Sequence, residues 1–169
     1  MERHSVDAIV NALNGASVRY LIAGGLAVVA HGYLRFTADI DLIIDLEQAN
    51  VRLAVAALES LGYRPRLLSP LRIWPIRACV RSGCAKKNLT VFSAYSPQHP
   101  MTEIDLFTEA PLDFEGAYRR AVRKEVAPGV AATFIGLRDL RRLKERAGRP
   151  QDLLDLEKLP AVSPEASDE

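Results

Sequence analysis

The sequence predicts an α/β (α+β) fold: a mixed sheet flanked by helices and closed by a C-terminal helical pair. Three observations carry this. Strand-like apolar runs alternate with helical patterns in the first part of the chain, more short strand patterns cluster in the middle, and two helical patterns follow one another near the end.

The elements follow in order. Val6, Ile9, Val10 and Leu13 have helical spacing, and Asn14-Gly15 is a stop signal. Residues 18–23 read as a buried strand, broken by Gly24-Gly25. Residues 26–31 read as a short helix ended by Gly32, and 39–44 as a strand. A helix over 46–61 places Leu53, Val55, Ala56, Leu58 and Leu61 at apolar positions and closes at Gly62. Residues 63–68 read as a strand. Residues 69–88, rich in Pro and Arg, receive no regular element. Strands at 89–94 and 103–107, a helix at 114–122, and helices at 136–147 and 150–159 complete the pattern. Residues 1–160 read as a single domain, and the small, polar and acidic tail, 161–169, as disordered.

The bulk composition excludes several classes. The chain has 169 residues, 49% of them hydrophobic, enough for a sizeable core. No apolar stretch approaches the ~20 residues that span a bilayer, and MERHSVDAIV lacks the layout of a signal peptide. No membrane association and a cytoplasmic location are the resulting expectations. Cys79 and Cys84 have no second Cys or His pair at ligand spacing, so neither a disulfide framework nor a zinc site follows; His4, His31 and His99 are scattered. The net charge is only +1, but the charges are zoned. From Gly62 to Gln98 there is no acid, while Arg64, Arg66, Arg72, Arg77, Arg81, Lys86 and Lys87 all fall there; a second basic stretch runs from Arg119 to Arg149. These zones read either as a polyanion-binding face or as a solvated basic surface.

Chemistry enters with "ADIDLII" and "TEIDLF". Side chains alternate along a strand, so Asp39 and Asp41 share one face and Glu103 and Asp105 share another. If the two strands are neighbours, three or four carboxylates converge, and like charges that close raise one another's pKa. A divalent cation resolves the conflict, and hard oxygen ligands with room for water and phosphate describe magnesium. The strand, Gly24-Gly25 and a helix start together resemble an anion site. Structural alternatives are pairing of the two aspartates with Arg35, or loop capping.

The stretch "GGLAVVAHGYLRFTADIDL" resembles the nucleotidyltransferase superfamily that includes DNA polymerase beta, and most closely the bacterial AbiEii-type and minimal nucleotidyltransferase-like proteins, many of them toxins of toxin–antitoxin pairs. The matching positions are Gly24, Gly25, Ala27, His31, Gly32, Arg35, Thr37, Asp39 and Asp41. "DLRRLKERAGRPQDLLDLEKL" resembles the family's Lys-x-x-x-x-Arg-x-x-Asp helix pair through Lys144, Arg149 and Asp152, with Asp155 following. The clear resemblance covers 18–45 and 136–159; the middle matches only through Asp105. Gly25 stands where some relatives carry a phosphate-contacting serine.

The resemblance implies magnesium-dependent transfer of a nucleotidyl group from a nucleoside triphosphate to an acceptor hydroxyl. Asp39, Asp41 and Asp105 would hold metal, and Asp105 would help activate the acceptor. Gly24, Gly25, Arg35, Thr37 and Lys144 would bind the nucleotide. RNA, tRNA among them, is the preferred acceptor; a protein hydroxyl and a small molecule stay open, and a cognate antitoxin is an implied partner. The other reading is a catalytically silent module of the same fold that binds NTP or a partner protein. Lys144 lies beside the apolar stripe of its helix, so it either faces inward and needs a partner or snorkels to water. Arg149 and Asp152 are expected to pair, His31 to pack at a helix end, and Trp74 to pack or to stack on a base.

Overall fold

The computed structural model describes residues 3–66 and 91–161. The expectations placed on Ser69–Asn88, with Trp74, both cysteines and Arg72, Arg77, Arg81, Lys86 and Lys87, lie outside those residues, as does most of the tail.

The described elements are α1 (Arg3–Gly15), β1 (Tyr20–Ile22), α2 (Gly24–Ala30), β2 (Asp39–Ile44), α3 (Gln48–Ser60), β3 (Arg64–Pro65), β4 (Val91–Tyr95), β5 (Glu103–Phe107), α4 (Phe114–Arg119), β6 (Val122–Ala127), β7 (Val130–Phe134), α5 (Leu137–Ala147) and α6 (Pro150–Lys158). Seven strands form one mixed sheet in the order β3-β4-β5-β2-β1-β7-β6. Two pairings, β2 with β5 and β1 with β7, are parallel; the others are antiparallel. Helices α1 and α3 pack on each other and on the sheet, and α2 packs on β2 and touches α5. No helix among the described residues is long and apolar enough to cross a membrane.

The core explains the central strands. Ile40 and Leu42 of β2 and Ile104 and Leu106 of β5 are fully buried, while the acidic residues between them are half-buried. Burying each such aliphatic side chain contributes ~1.5–3 kcal/mol. A one-residue slip of either strand would put these apolar groups in water and the acids in the core, which fixes the register.

Two expectations need correction, and one hairpin has no counterpart in the sequence analysis. Gly24 and Gly25 do not precede helix α2 but form its first turn. The helix expected to reach Val122 ends at Arg119, because Val122 already opens β6. The hairpin β6–β7, turning at Pro128-Gly129 with Gly129 at φ +75°, was not anticipated from the sequence. Its outer strand runs along the sheet edge with Arg123, Lys124 and Glu125 exposed, so it lacks the apolar alternation of a half-buried strand.

Candidate active site

The site begins where β1 ends. Ala23 is extended and its N–H donates to the Asp41 carbonyl oxygen (2.9 Å), joining the start of α2 to β2. Gly24 then takes φ +57°, a left-handed conformation natural to glycine. A Cβ on Gly24 would lie 1.7 Å from the Asp41 Oδ2, and one on Gly25 would lie 2.5 Å from Thr37 Oγ1 and 2.8 Å from Arg35 Nη2. The two glycines are therefore required by the protein's own carboxylate, hydroxyl and guanidinium groups. The Gly25 N–H is hydrogen-bonded to the Asp41 carboxylate, so the first anion this turn serves is Asp41 itself.

Gly24→Ala tests that packing. The left-handed backbone alone costs ~1–2 kcal/mol for a non-glycine residue, and the methyl group must also displace the Asp41 carboxylate. The expected result is a lowered melting temperature, which a thermal melt reads.

The parallel ladder of β2 and β5 sets Asp41 beside Asp105 and Asp39 beside Glu103. The four acids thus share a patch, but with different partners. Glu103 accepts from Arg66 Nη1 (2.9 Å) in an exposed ion pair. Asp105 Oδ1 accepts from Ser93 Oγ (2.6 Å), on the neighbouring strand β4. Asp41 is raised to about 6, first by burial and then by the negative charges of Asp105 and Asp39; the Lys144 charge and the Gly25 N–H pull it down without cancelling the rise. Thr37 Oγ1 donates to the Asp39 carbonyl oxygen (3.3 Å), which orders the entry to β2.

The second half of the site comes from the C-terminal helices. Lys144, on α5, is 5% exposed; its Nζ donates to Asp152 Oδ1 (3.0 Å) and Asp155 Oδ2 (2.7 Å) of α6. It faces inward and has its partners, so the snorkelling alternative is set aside. Arg35 Nε stands 3.0 Å from Asp155 Oδ1, which ties the segment before β2 to α6. The expected Arg149–Asp152 pairing needs correction. Asp152 carries its salt bridge to Lys144, and Arg149 reaches it through its backbone N–H (3.3 Å), as a helix cap. His31 closes α2, with its Nε2 2.8 Å from the Ile135 carbonyl oxygen, and burial lowers its pKa; it packs at a helix end as the sequence indicates.

No family model and no curated protein matches the chain. Among solved structures, the crystal structure of JHP933 from Helicobacter pylori is similar, with a TM-score of 0.48 and 14% identity over 90% of this chain. This chain covers 62% of the length of that protein.

Two members of the site escaped the sequence reading. Ser93 was unmarked because a lone serine in a strand acquires meaning only once β4 is known to lie beside β5. Asp155 was noted only as following the helix motif, although its spacing from Asp152 places both on one helical face. Among the described residues, no three acidic, His or Cys side chains are already gathered as a cage for a metal ion. The donor set still fits magnesium, which is held by one or two carboxylates and keeps water and phosphate oxygens as its other ligands. The in-register pairing that sets Asp41 beside Asp105 is the sign of the fit, since a cation there would offset the repulsion between the two carboxylates.

Proposed function

We propose that this protein is a magnesium-dependent nucleotidyltransferase that moves a nucleotidyl group from a nucleoside triphosphate to an acceptor hydroxyl. The observation that carries the reading is the in-register parallel pairing of β2 with β5, which sets Asp41 against Asp105 on the face shared by Asp39. Asp39 and Asp41 would hold one metal ion and Asp105 would complete a second metal site; the metal when bound supplies charge stabilisation for the attacking and leaving oxygens. Arg35 and Lys144 supply positive charge to the triphosphate, and Gly24, Gly25 and Thr37 shape the turn beside it. The acceptor oxygen attacks the α-phosphorus, the bond from that phosphorus to the bridging oxygen breaks, and pyrophosphate leaves. Asp105 receives the acceptor proton, and Ser93 holds its carboxylate in place.

RNA is the preferred acceptor, since a longer polyanion accounts for the basic zones of the sequence better than a triphosphate alone. The AbiEii-type resemblance adds a toxin role, a cognate antitoxin and a cytoplasmic setting to the proposal. A second reading, a silent nucleotide- or partner-binding module, draws on one observation: the Gly25 N–H and the Lys144 ammonium are both already engaged by the protein's own carboxylates.

The test is incubation with α-labelled nucleoside triphosphates, magnesium and total cellular RNA. Label in RNA with release of pyrophosphate is the expected result. Label on protein or on a small molecule would move the acceptor but keep the reaction. Nucleotide binding without pyrophosphate release from any mixture would favour the silent module.

A further inference from the structure

We infer that Asp155 is a positioning residue that acts through Arg35, fixing the guanidinium so that its outer nitrogen faces the triphosphate. This rests on the nucleotidyltransferase reading and assigns a role to a residue in α6, far along the chain from the acidic strands.

Asp155 is completely buried, and its carboxylate meets groups from three parts of the chain. Oδ2 accepts from Lys144 Nζ on α5 (2.7 Å), Oδ1 accepts from Gln151 Nε2 within α6 (3.1 Å), and Oδ1 also lies 3.0 Å from Arg35 Nε. A scaffold pair joining α5 to α6 needs only Lys144 and one aspartate. Here Asp152 already provides that aspartate, at 3.0 Å, and a second cation arrives from the segment that leads into Asp39.

The three nitrogens of Arg35 have different surroundings. Nε is buried against Asp155 as a charge contact, without the alignment of a hydrogen bond. Nη1 donates to the Phe36 carbonyl oxygen (3.0 Å). Nη2 lies over Gly25, 2.8 Å from the place a Cβ would take, on the turn whose other glycine touches the Asp41 carboxylate. Two sides of the planar fork are thus anchored, and the third is directed to the turn beside the proposed metal ligands. A guanidinium held this way presents a donor at a fixed angle, which a lysine at the same position cannot do. The contact with Asp155 sets that angle. Two cations, Lys144 and Arg35, meet two carboxylates, Asp152 and Asp155, so Asp155 counters the charge of Arg35 within a balanced cluster.

The test measures binding of magnesium alone, and of inorganic tripolyphosphate and each of the four nucleoside triphosphates with magnesium, to the full chain. Asp155→Asn keeps the side chain's size and removes its charge. It is expected to weaken tripolyphosphate binding about tenfold, the scale of a lost charge-assisted hydrogen bond, while magnesium binding alone stays unchanged. A general loosening of the fold would weaken both. In an Arg35→Ala background, Asp155→Asn is expected to cause a clearly smaller loss, because only its contact with Lys144 still connects it to the ligand. Arg35→Lys, with Asp155 intact, is expected to show the same loss as Asp155→Asn, and it answers the question if Asp155→Asn does not fold. Wild-type tripolyphosphate affinity in folded Asp155→Asn or in Arg35→Lys would overturn the inference, as would equal losses with and without Arg35. If the unaltered protein binds neither tripolyphosphate nor any nucleotide in the presence of magnesium, the nucleotidyltransferase reading falls, and this inference with it.

Discussion

Asp41→Asn is expected to abolish nucleotidyl transfer while making the protein more stable at neutral pH. Both effects come from the position of the carboxylate between burial and two like charges. Its pKa is about 6 in the folded protein against 3.8 as its ordinary value. An acid whose folded pKa is raised contributes stability that is fully present below its unfolded pKa and is lost as the pH rises through its folded pKa. For Asp41 that window runs from about pH 4 to about pH 6. Above it, the charged group costs at most about 3 kcal/mol, the value of a shift of about two pKa units. Asparagine does not titrate and can still accept from the Gly25 N–H. Thermal melts should therefore show Asp41→Asn melting above the parent at pH 7 and converging with it near pH 4. Added magnesium should stabilise the parent and leave the variant unmoved. Near-normal pyrophosphate release by Asp41→Asn on a confirmed substrate would remove Asp41 from the metal site.

Lys144→Ala should reduce both stability and activity. Removing one partner of a buried ion pair leaves an uncompensated charge and typically costs ~3–5 kcal/mol. Here it strands two carboxylates, Asp152 and Asp155, the latter fully buried. It also removes the positive charge that pulls Asp41 down, so magnesium binding should shift to higher pH. Activity per folded molecule should fall ~100-fold or more, the scale of a lost transition-state charge contact, and Lys144→Arg should restore only part of it. The comparison requires melts and turnover on the same samples, below the variant's melting temperature. A lowered melting temperature with unchanged kcat/KM would make Lys144 a scaffold residue and nothing more.

The half of the site built on strands was legible in the sequence because strand alternation is strict. Two aspartates separated by one apolar residue must share a face, and the same pattern recurs in "TEIDLF". The sequence could not say whether Asp105 or Glu103 would oppose Asp41, since that depends on register. The ladder sets Asp105 there and leaves Glu103 to Arg66. The inward lysine was legible from its place beside an apolar stripe, but its partners were not. Asp152 looks like the mate of nearby Arg149, and only the packing of α5 on α6 gives it to Lys144. The glycine pair was visible, but the reason for it was not. The groups that need the space, Asp41, Arg35 and Thr37, lie further along the chain and return to the turn only in the folded sheet. The β6–β7 hairpin escaped because a charged edge strand carries almost no periodic apolar signal.

The crossing order of the sheet also determines when the acidic patch comes into being. β2 has no parallel neighbour until β5 has been made, and Lys144 and Asp155 emerge later still. During synthesis from the N-terminus, the Asp39–Asp41 strand therefore waits beside β1 with its acids unopposed. Long-range parallel pairing of this kind is slow, because the intervening loop must close before any contact forms. A ribosome-bound chain that stops short of β5 holds two aspartates and a glycine turn but lacks Asp105 beside Asp41. One that stops short of α6 has the three acids but lacks the Asp155 contact of Arg35. The complete arrangement of strand acids, Lys144 and Asp155 exists only in a molecule translated through α6.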